Sequence, residues 1–535
     1  MENRPPDAAA LTAADAGALH PVDEPGIYRL VDSAQMSAID REASERFRIP
    51  SPILMENAGL KALEAMQRRI WRRPVPEEPV AIVSGRGNNG GDALVVARQL
   101  HAIGARHITV LLSHGEPADG SQCAANLAIC RALGITVLDA AEATLSCGWV
   151  IDGMAGTGQR GALRGPAAAL AERINGSAAR VIALDAPSGV GDRFTADMPA
   201  VHADWTLALE LPKRALYLPA ARPACGSIIV VPIGFPAALT DPAAGNARLL
   251  GPAALAPMLP SVPADAHKGT RGHVAVLAGS AGTAGAARLA ATAAACSRAG
   301  LVTLHADADT YPVQAGALTS VMVVPWSETA EPGELARRFD SLVVGPGWGT
   351  GPARAVWLQR LLVKRCRGVL DADATTLLAR AGGPGRLSGR WVLTPHPGEL
   401  ARLLGATVAE ALADPAAAAA DVAERFGAVV VLKGHVTYIA APDGGDAAGV
   451  GTEPPLSVVD GMQPWLATGG SGDVLAGVIG ALLAGGRIGP YQAACAGVLI
   501  HAAAARHLYR ERGWFLAEDL PASVSRVVAG RDDLG

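Results

Sequence analysis

Charge and aromatic side chains are scarce in this sequence, and each shortage narrows what the protein does. Asp, Glu, Lys and Arg make up 18% of the 535 residues, and Phe, Trp and Tyr only 4%. The 46 basic side chains are met by 50 acidic ones, a formal charge of −4, so there is no basic field to hold nucleic acid or an anionic membrane. Apolar runs are short. The most apolar C-terminal stretch lies between Asp473 and Arg487, below the ~20 residues of a membrane-spanning helix, although mean hydropathy is positive at +0.24. The first residues show no basic start followed by an apolar core, so no secretory signal is expected. Cysteines are few: Cys123, Cys130, Cys147, Cys225, Cys296, Cys366 and Cys495 are scattered without a Cys-x-x-Cys pair. That excludes a disulfide framework or thiolate zinc site and fits free thiols in a reducing, cytoplasmic setting.

What is abundant is apolar and small. Half of the residues are hydrophobic and 62 are glycine, and the length exceeds the ~100–250 residues of one ordinary domain. Residues 1–26 are Ala- and Pro-rich without periodicity and read as a mobile leader. Over 27–238, β-type runs at 80–84, 107–112, 149–152, 181–185 and 227–231 alternate with Ala/Leu-rich helical stretches, predicting a parallel sheet covered on both faces. A Pro-, Ala- and Gly-rich stretch at 239–262 reads as a linker. A second α/β pattern occupies 263–533, with strands at 273–277, 301–305, 341–344, 368–370, 391–393 and 429–432 and helices including 285–299 and 474–484. No repeat relates the halves, which read as two different enzymes in one chain.

In the first half, AIVSGRGNNGGDALVVARQL is strand, glycine turn and helix. Gly85, Gly87 and Gly90 fit the GxGxxG pattern that lets helix-start amides face a phosphate. A dinucleotide-binding domain also needs an acid at the end of the next strand; here HITVLL ends in Ser113 and His114. The loop is polar instead, with Asn88, Asn89 and Asp92. Asp152 ends WVID and Asp185 ends VIALD, at the sheet edge where ligand crevices form. Asn89, Asp152, Ser188 and nearby carbonyls offer hard oxygens to a cation; each acid taken alone is equally well a helix or turn cap.

LMENAG, GRGNNGGD, DGMAGTGQRG and LDAPSGV together resemble the NAD(P)H-hydrate epimerase domain, over roughly residues 28–235. The resemblance implies a Rossmann-like three-layer α/β/α domain. It also implies that Asn88, Asn89, Gly90, Gly91 and Asp92, with Gly156, Thr157, Gly158, Gln159, Arg160, Gly161, Ala162 and Asp185, contact the hydrated nucleotide. Potassium would map to Asn89, Asp152 and Ser188. Met154 and Ala186 depart from the family's usual residues. Epimerisation inverts a carbon bearing both a hydroxyl and the ring nitrogen, and a carboxylate can shuttle the proton; Asp185 is the first candidate for that catalytic role, with Asp92 the alternative.

In the second half, ATGGSGDVLAGVIGALLA runs from glycines straight into a helix with Asp473 in its first turn. Gly470, Ser471 and Gly472 would aim amides at an anion, and Asp473 suits a base activating a hydroxyl for phosphoryl transfer. HKGTRGHVAVLAGS, VVGPGWG, LDADAT, LTPHPGELARLLG and VVLKGHVTYI are each a strand joined to a polar turn. His396 reads either as a helix cap or as a ligand contact at the crevice. In this order the motifs resemble the ADP-dependent NAD(P)H-hydrate dehydratase domain, which implies a ribokinase-like α/β fold. Mapped by motif, Ala286, Gly347, His396 and Asp473 would contact the hydrate, and Lys433, Gly434, His435, Val436, Thr437 and Gly472 the adenine nucleotide. Thr375 and Gln463 stand where family members often differ.

The two resemblances together imply repair of NADHX and NADPHX: epimerisation of both, then dehydration of one epimer with ADP as co-substrate and magnesium offsetting charge, in a homo-oligomer without nucleic-acid or membrane partners. A second reading uses the same residues. Gly-x-Gly-Asp before a helix also serves small-molecule kinases, with the first half then a non-catalytic Rossmann-like binding domain.

Overall fold

The computed structural model describes residues 26–141, 143–381, 385–387, 389–442, 456–461 and 463–530. The leader expected over 1–26 lies, save Gly26, outside the described residues. The chain forms two compact units, one of Tyr28–Gly245 and one built on Asn246–Gly535. The stretch expected to be a linker contains a strand, Ala247–Leu250, paired with Leu456–Asp460 in the second unit's sheet. Among the described residues, no helix is long and apolar enough to cross a membrane.

In the first unit, β1 (Val80–Ser84), β2 (Ile108–Leu112), β3 (Thr136–Asp139), β4 (Trp149–Gly153), β5 (Arg180–Leu184), β6 (Trp205–Leu209) and β7 (Ser227–Val231) form a seven-stranded sheet in the order β3-β2-β1-β4-β5-β6-β7. Every pairing is parallel. Residues i and i+1 of a strand face opposite ways, and the cores follow. Val80 and Ile82 pack on one side with α1 (Ser33–Glu45), α2 (Ser51–Ala65), α3 (Asn88–Ala102) and α4 (Gln122–Ala132). Ala81 and Val83 pack on the other with α5 (Pro166–Asn175). This is a Rossmann-like three-layer α/β/α fold. β3 and β6 lay outside the predicted strands; β3 is a largely exposed edge.

In the second unit, β8 (Ala247–Leu250) is followed by β9 (His273–Leu277), β10 (Leu301–Asp307), β11 (Met322–Trp326), β12 (Ser341–Val344), β13 (Gly368–Leu370), β14 (Trp391–Leu393), β15 (Val429–Leu432), β16 (Val436–Ala440) and β17 (Leu456–Asp460). They run in the order β8-β17-β16-β15-β14-β13-β12-β9-β10-β11. Pairing is parallel from β11 to β15, and β16 is antiparallel to both neighbours, a ribokinase-like mixed sheet. One face is covered by α6 (Ala284–Cys296), α9 (Ser471–Ala484), α10 (Pro490–Arg512) and α11 (Leu520–Val528). The helices α7 (Asp373–Ala381) and α8 (Pro397–Leu404) follow β13 and β14. Small residues let α9 and α6 approach: a Cβ on Gly477 would lie 2.2 Å from the Ala290 oxygen.

Candidate functional site

In each unit the described residues place a candidate site at the C-terminal edge of the sheet. In the first, strand order reverses between β1 and β4, where parallel sheets open a crevice. A cleft of about 880 Å³ opens there, lined among others by Asp40, Asn89, Asp92, Thr157, Asp185 and Lys213. The Asn-Asn-Gly-Gly-Asp run, expected in a loop, is already helical, because α3 starts at Asn88 with Gly87 as its N-cap. The glycines around it allow close approach. A Cβ on Gly85 would sit 1.9 Å from the Met154 oxygen, and one on Gly90 2.1 Å from that of Gly85.

Asp152 is fully buried. It accepts hydrogen bonds from the Ser188 hydroxyl at 2.6 Å, the Ser188 amide at 2.8 Å and the Met154 amide at 3.1 Å. Burial raises its carboxyl, and these bonds offset part of the rise. Beside it, the Asn89 amide donates to the Leu184 oxygen at 3.1 Å, while its buried Oδ1 has no hydrogen-bond partner among the described residues. A Cβ on Gly156 would lie 3.0 Å from Asn89 Cγ.

Asp185 leaves β5 at φ +65°, a left-handed conformation that costs a non-glycine residue about 1–3 kcal/mol and is retained mainly at functional positions. It accepts from the Thr157 amide at 3.1 Å and from the Thr157 hydroxyl, and pairs with the Lys213 ammonium. Lys213 is buried and also donates to the Leu209 oxygen at 2.6 Å. Burial opposes the Asp185 charge, but Lys213, followed by Thr157, outweighs it and holds the carboxyl below its ordinary value. Asp92 goes the other way: burial, then the charges of Asp185 and Asp40, push it well up. Asn88 and Gly156 through Arg160, with Ala162, line the cleft. Gly91 packs against Met55 and Gly161 accepts from the Gln159 side chain at 3.2 Å, both outside the lining. Met154 and Ala186 are buried.

In the second unit the order reverses between β9 and β12. Gly347 sits there at φ +53°, its oxygen accepting from the Ser280 amide and the Thr283 hydroxyl, both at 2.7 Å. Ala286, in the first turn of α6, donates its amide to the Thr283 oxygen at 3.2 Å. The loops after β13, β14 and β15 meet around a buried carboxylate. Asp371 accepts from the Thr394 hydroxyl at 2.7 Å and from Lys433 Nζ at 2.8 Å. The Lys433 ammonium reaches the start of α9, where a Cβ on Gly472 would lie 3.2 Å from it. Burial disfavours the ammonium, but Asp371, Glu399 and Asp473 hold its pKa above the ordinary value.

Asp473 follows in the first turn of α9, whose N-cap Gly470 has φ +93°. Burial and then Asp371 push the Asp473 carboxyl up to about 7, with Lys433 opposing and Asp373 adding. A base with a pKa near neutrality is the kind that general catalysis uses. Gly434 and His435 form the turn into β16, Val436 is buried, and Thr437 donates its hydroxyl to the Gly434 oxygen at 3.3 Å. His396 takes the capping role: its Nδ1 accepts from the Gly398 amide at 3.0 Å, and the His396 amide donates to the Glu399 carboxylate at 2.9 Å. The hydroxyl of buried Thr375 donates to the Ala372 oxygen at 2.7 Å, and Gln463 accepts from the Trp465 indole at 3.3 Å.

Sequence reasoning passed over Asp40 and Lys213 and gave Asp371 no role. A usable signal existed for Lys213: the chain has five lysines, and Lys213 and Lys433 both lie within four residues of the end of a β-strand.

Comparison with known proteins agrees with this division. A family model described as YjeF-related protein N-terminus matches residues 51–215, and one described as NAD(P)H-hydrate dehydratase matches 274–526. The bifunctional NAD(P)H-hydrate repair enzyme Nnr of Moorella thermoacetica is 37% identical over 90% of this chain and 93% of its own. That of Coxiella burnetii is 36% identical over 89% and 95%, and that of Escherichia coli 33% identical over 91% and 92%. The chain belongs to the family of bifunctional NAD(P)H-hydrate repair enzymes.

Proposed function

We propose that the protein repairs hydrated NADH and NADPH in two steps. The first unit epimerises NADHX and NADPHX, and the second dehydrates the S epimer with ADP, releasing AMP and phosphate. The observation that carries this reading is Asp473: a carboxyl poised near neutrality at a glycine-rich helix start, beside the ion pair of half-buried Lys433 with buried Asp371. Asp473 takes the proton of the hydrate's hydroxyl, whose oxygen accepts the terminal phosphoryl of ADP while AMP leaves. Lys433, held by Asp371, and the amides at the start of α9 balance the charge on the transferring group. The ring nitrogen then expels phosphate, and loss of a proton from the neighbouring carbon restores the dihydronicotinamide.

Magnesium would offset phosphate charge in this step. Among the described residues no cluster of three or more His, Cys, Asp or Glu side chains is arranged to hold a metal. The donors therefore fit an ion carried mainly by the nucleotide's phosphates, as is usual for magnesium. In the first unit, Asn89, Asp152 and Ser188 fit potassium: they are hard oxygen donors, and the buried Asn89 Oδ1 has no hydrogen-bond partner among the described residues. When bound, the ion would supply positive charge beside buried Asp152. All seven cysteines are free, which supports a reducing, cytoplasmic setting. A homo-oligomer belongs to the same reading, and light scattering on the purified protein tests it.

The rival reading, a kinase fused to an inert binding domain, leaves the Asp185–Lys213 pair and the strained Asp185 backbone without a purpose. The experiment that separates the two supplies Asp473→Asn and unmodified protein with S hydrate and ADP. The repair reading expects dihydronicotinamide absorbance to return with the unmodified protein only, with no phosphorylated nucleotide accumulating.

A further inference from the structure

Exchanging a hydroxyl between the two faces of one carbon needs a group that gives a proton as the hydroxyl departs and takes one back as water returns. Three carboxyls line the first unit's cleft: Asp40, Asp92 and Asp185. Asp185 is committed, because Thr157 and Lys213 occupy its two oxygens. Asp92 is buried at 9% exposure. Asp40 is different. It is exposed to the cleft, and its carboxyl makes no hydrogen bond or ion pair among the described residues.

The backbone beneath Asp40 is fixed. Its helix, α1, is capped by Asp32 through a full capping box and buries Met36, Ile39 and Ala43. The start of α1 is tied down by the Ser33 amide, which donates to Asp192 at 3.0 Å. A free carboxyl on an anchored helix, aimed at a cleft already holding a fixed ion pair, is the geometry of an acid–base group.

We propose that Asp40 is the acid–base residue of epimerisation, with Asp185 and Lys213 as its fixed electrostatic frame; this rests on the epimerase reading above. The protonated Asp40 gives its proton to the leaving hydroxyl. The carbon–oxygen bond breaks, water departs, and the ring nitrogen's lone pair forms the carbon–nitrogen double bond of an iminium ion. Water then adds to the opposite face, that double bond returns its electrons to nitrogen, and Asp40 recovers the proton. Nothing is consumed. Facing Asp40 are Asp185, Asp92 and Lys213, with His114, Arg160 and Arg164 elsewhere on the cleft wall. Although solvent reaches the side chain, crowding by the cleft and then the Asp185 charge lift its carboxyl to about 6, with Lys213 opposing. Both protonation states are therefore populated near neutral pH.

The test follows R hydrate turning into S hydrate in the full chain, above the enzyme-free rate, for unmodified protein, Asp40→Asn and Asp40→Glu. Asp40→Asn is expected to lower kcat about 100-fold or more, with KM within about twofold. The pH dependence near 6 should disappear, and Asp40→Glu should restore part of the rate. An unchanged KM for R hydrate and the partial rescue by Asp40→Glu report that the first unit of the variant is folded, while ADP-dependent dehydration of S hydrate by the same sample reports on the second unit. Asp40→Asn epimerising at the unmodified rate, or keeping the same pH dependence, overturns the proposal. An unmodified protein that dehydrates S hydrate but leaves R hydrate unchanged overturns the epimerase reading itself, and the proposal with it.

Discussion

Asp473 and Asp185 are carboxyls at corresponding edges of their sheets, yet their surroundings drive them in opposite directions. Around Asp473, burial and Asp371 outweigh Lys433 and raise the carboxyl to about 7. Around Asp185, Lys213 outweighs burial and lowers it. Dehydration should therefore rise with pH through about 7 and level off above it, as Asp473 becomes the free base. Asp473→Asn should reduce kcat by about 10²–10⁴-fold while AMP still binds, measured by calorimetry. Linkage gives this variant a second signature. A carboxyl raised in the folded state binds its proton more tightly there than in the unfolded chain, so stability is lost as pH climbs from about 4 to 7. Asp473→Asn should then melt above the unmodified protein at pH 8, the gap closing toward pH 4. Lys433→Met should behave differently: it strands Asp371 as a buried charge, lowering stability by about 3–5 kcal/mol as well as weakening nucleotide binding.

The elements hold these residues through close backbone approach, and there the glycines divide into two kinds. Gly477 lets α9 meet α6, and Gly85 lets the loop after β1 meet the loop after β4; a Cβ at either would fall within 2.2 Å of a backbone oxygen. Gly477→Ala and Gly85→Ala should each lower the melting temperature, whereas Gly158→Ala, with nothing within 4 Å of its Cβ, should leave it unchanged. The alternation of strand and helix was legible in the sequence because the central strands are buried on both faces and read as continuous apolar runs. Strand β17 was not, although glycines and prolines precede it, because only Leu456, Val458 and Val459 of its five residues are apolar, too short a run to stand out. The glycine motifs placed the second site's loops, and Asp473 with them. Asp40 escaped notice because in sequence it is one more polar residue on an amphipathic helix; only the fold turns it toward a cleft. Lys213 escaped because the partner that gives it meaning, Asp185, lies on another strand.

For the molecule as a whole, the account makes the two activities separable within one chain. Asp185→Ala should abolish conversion of R to S hydrate while sparing dehydration of S hydrate. If Asn89, Asp152 and Ser188 hold potassium as proposed, replacing potassium with lithium should slow the first reaction. The most direct measurement gives the purified protein a mixture of both hydrate epimers with ADP and follows dihydronicotinamide absorbance together with AMP and phosphate. Complete recovery of the absorbance, with one AMP and one phosphate formed per nucleotide restored, is the predicted result. A phosphorylated product that persists, or a mixture that stays hydrated while ADP is left intact, would contradict it.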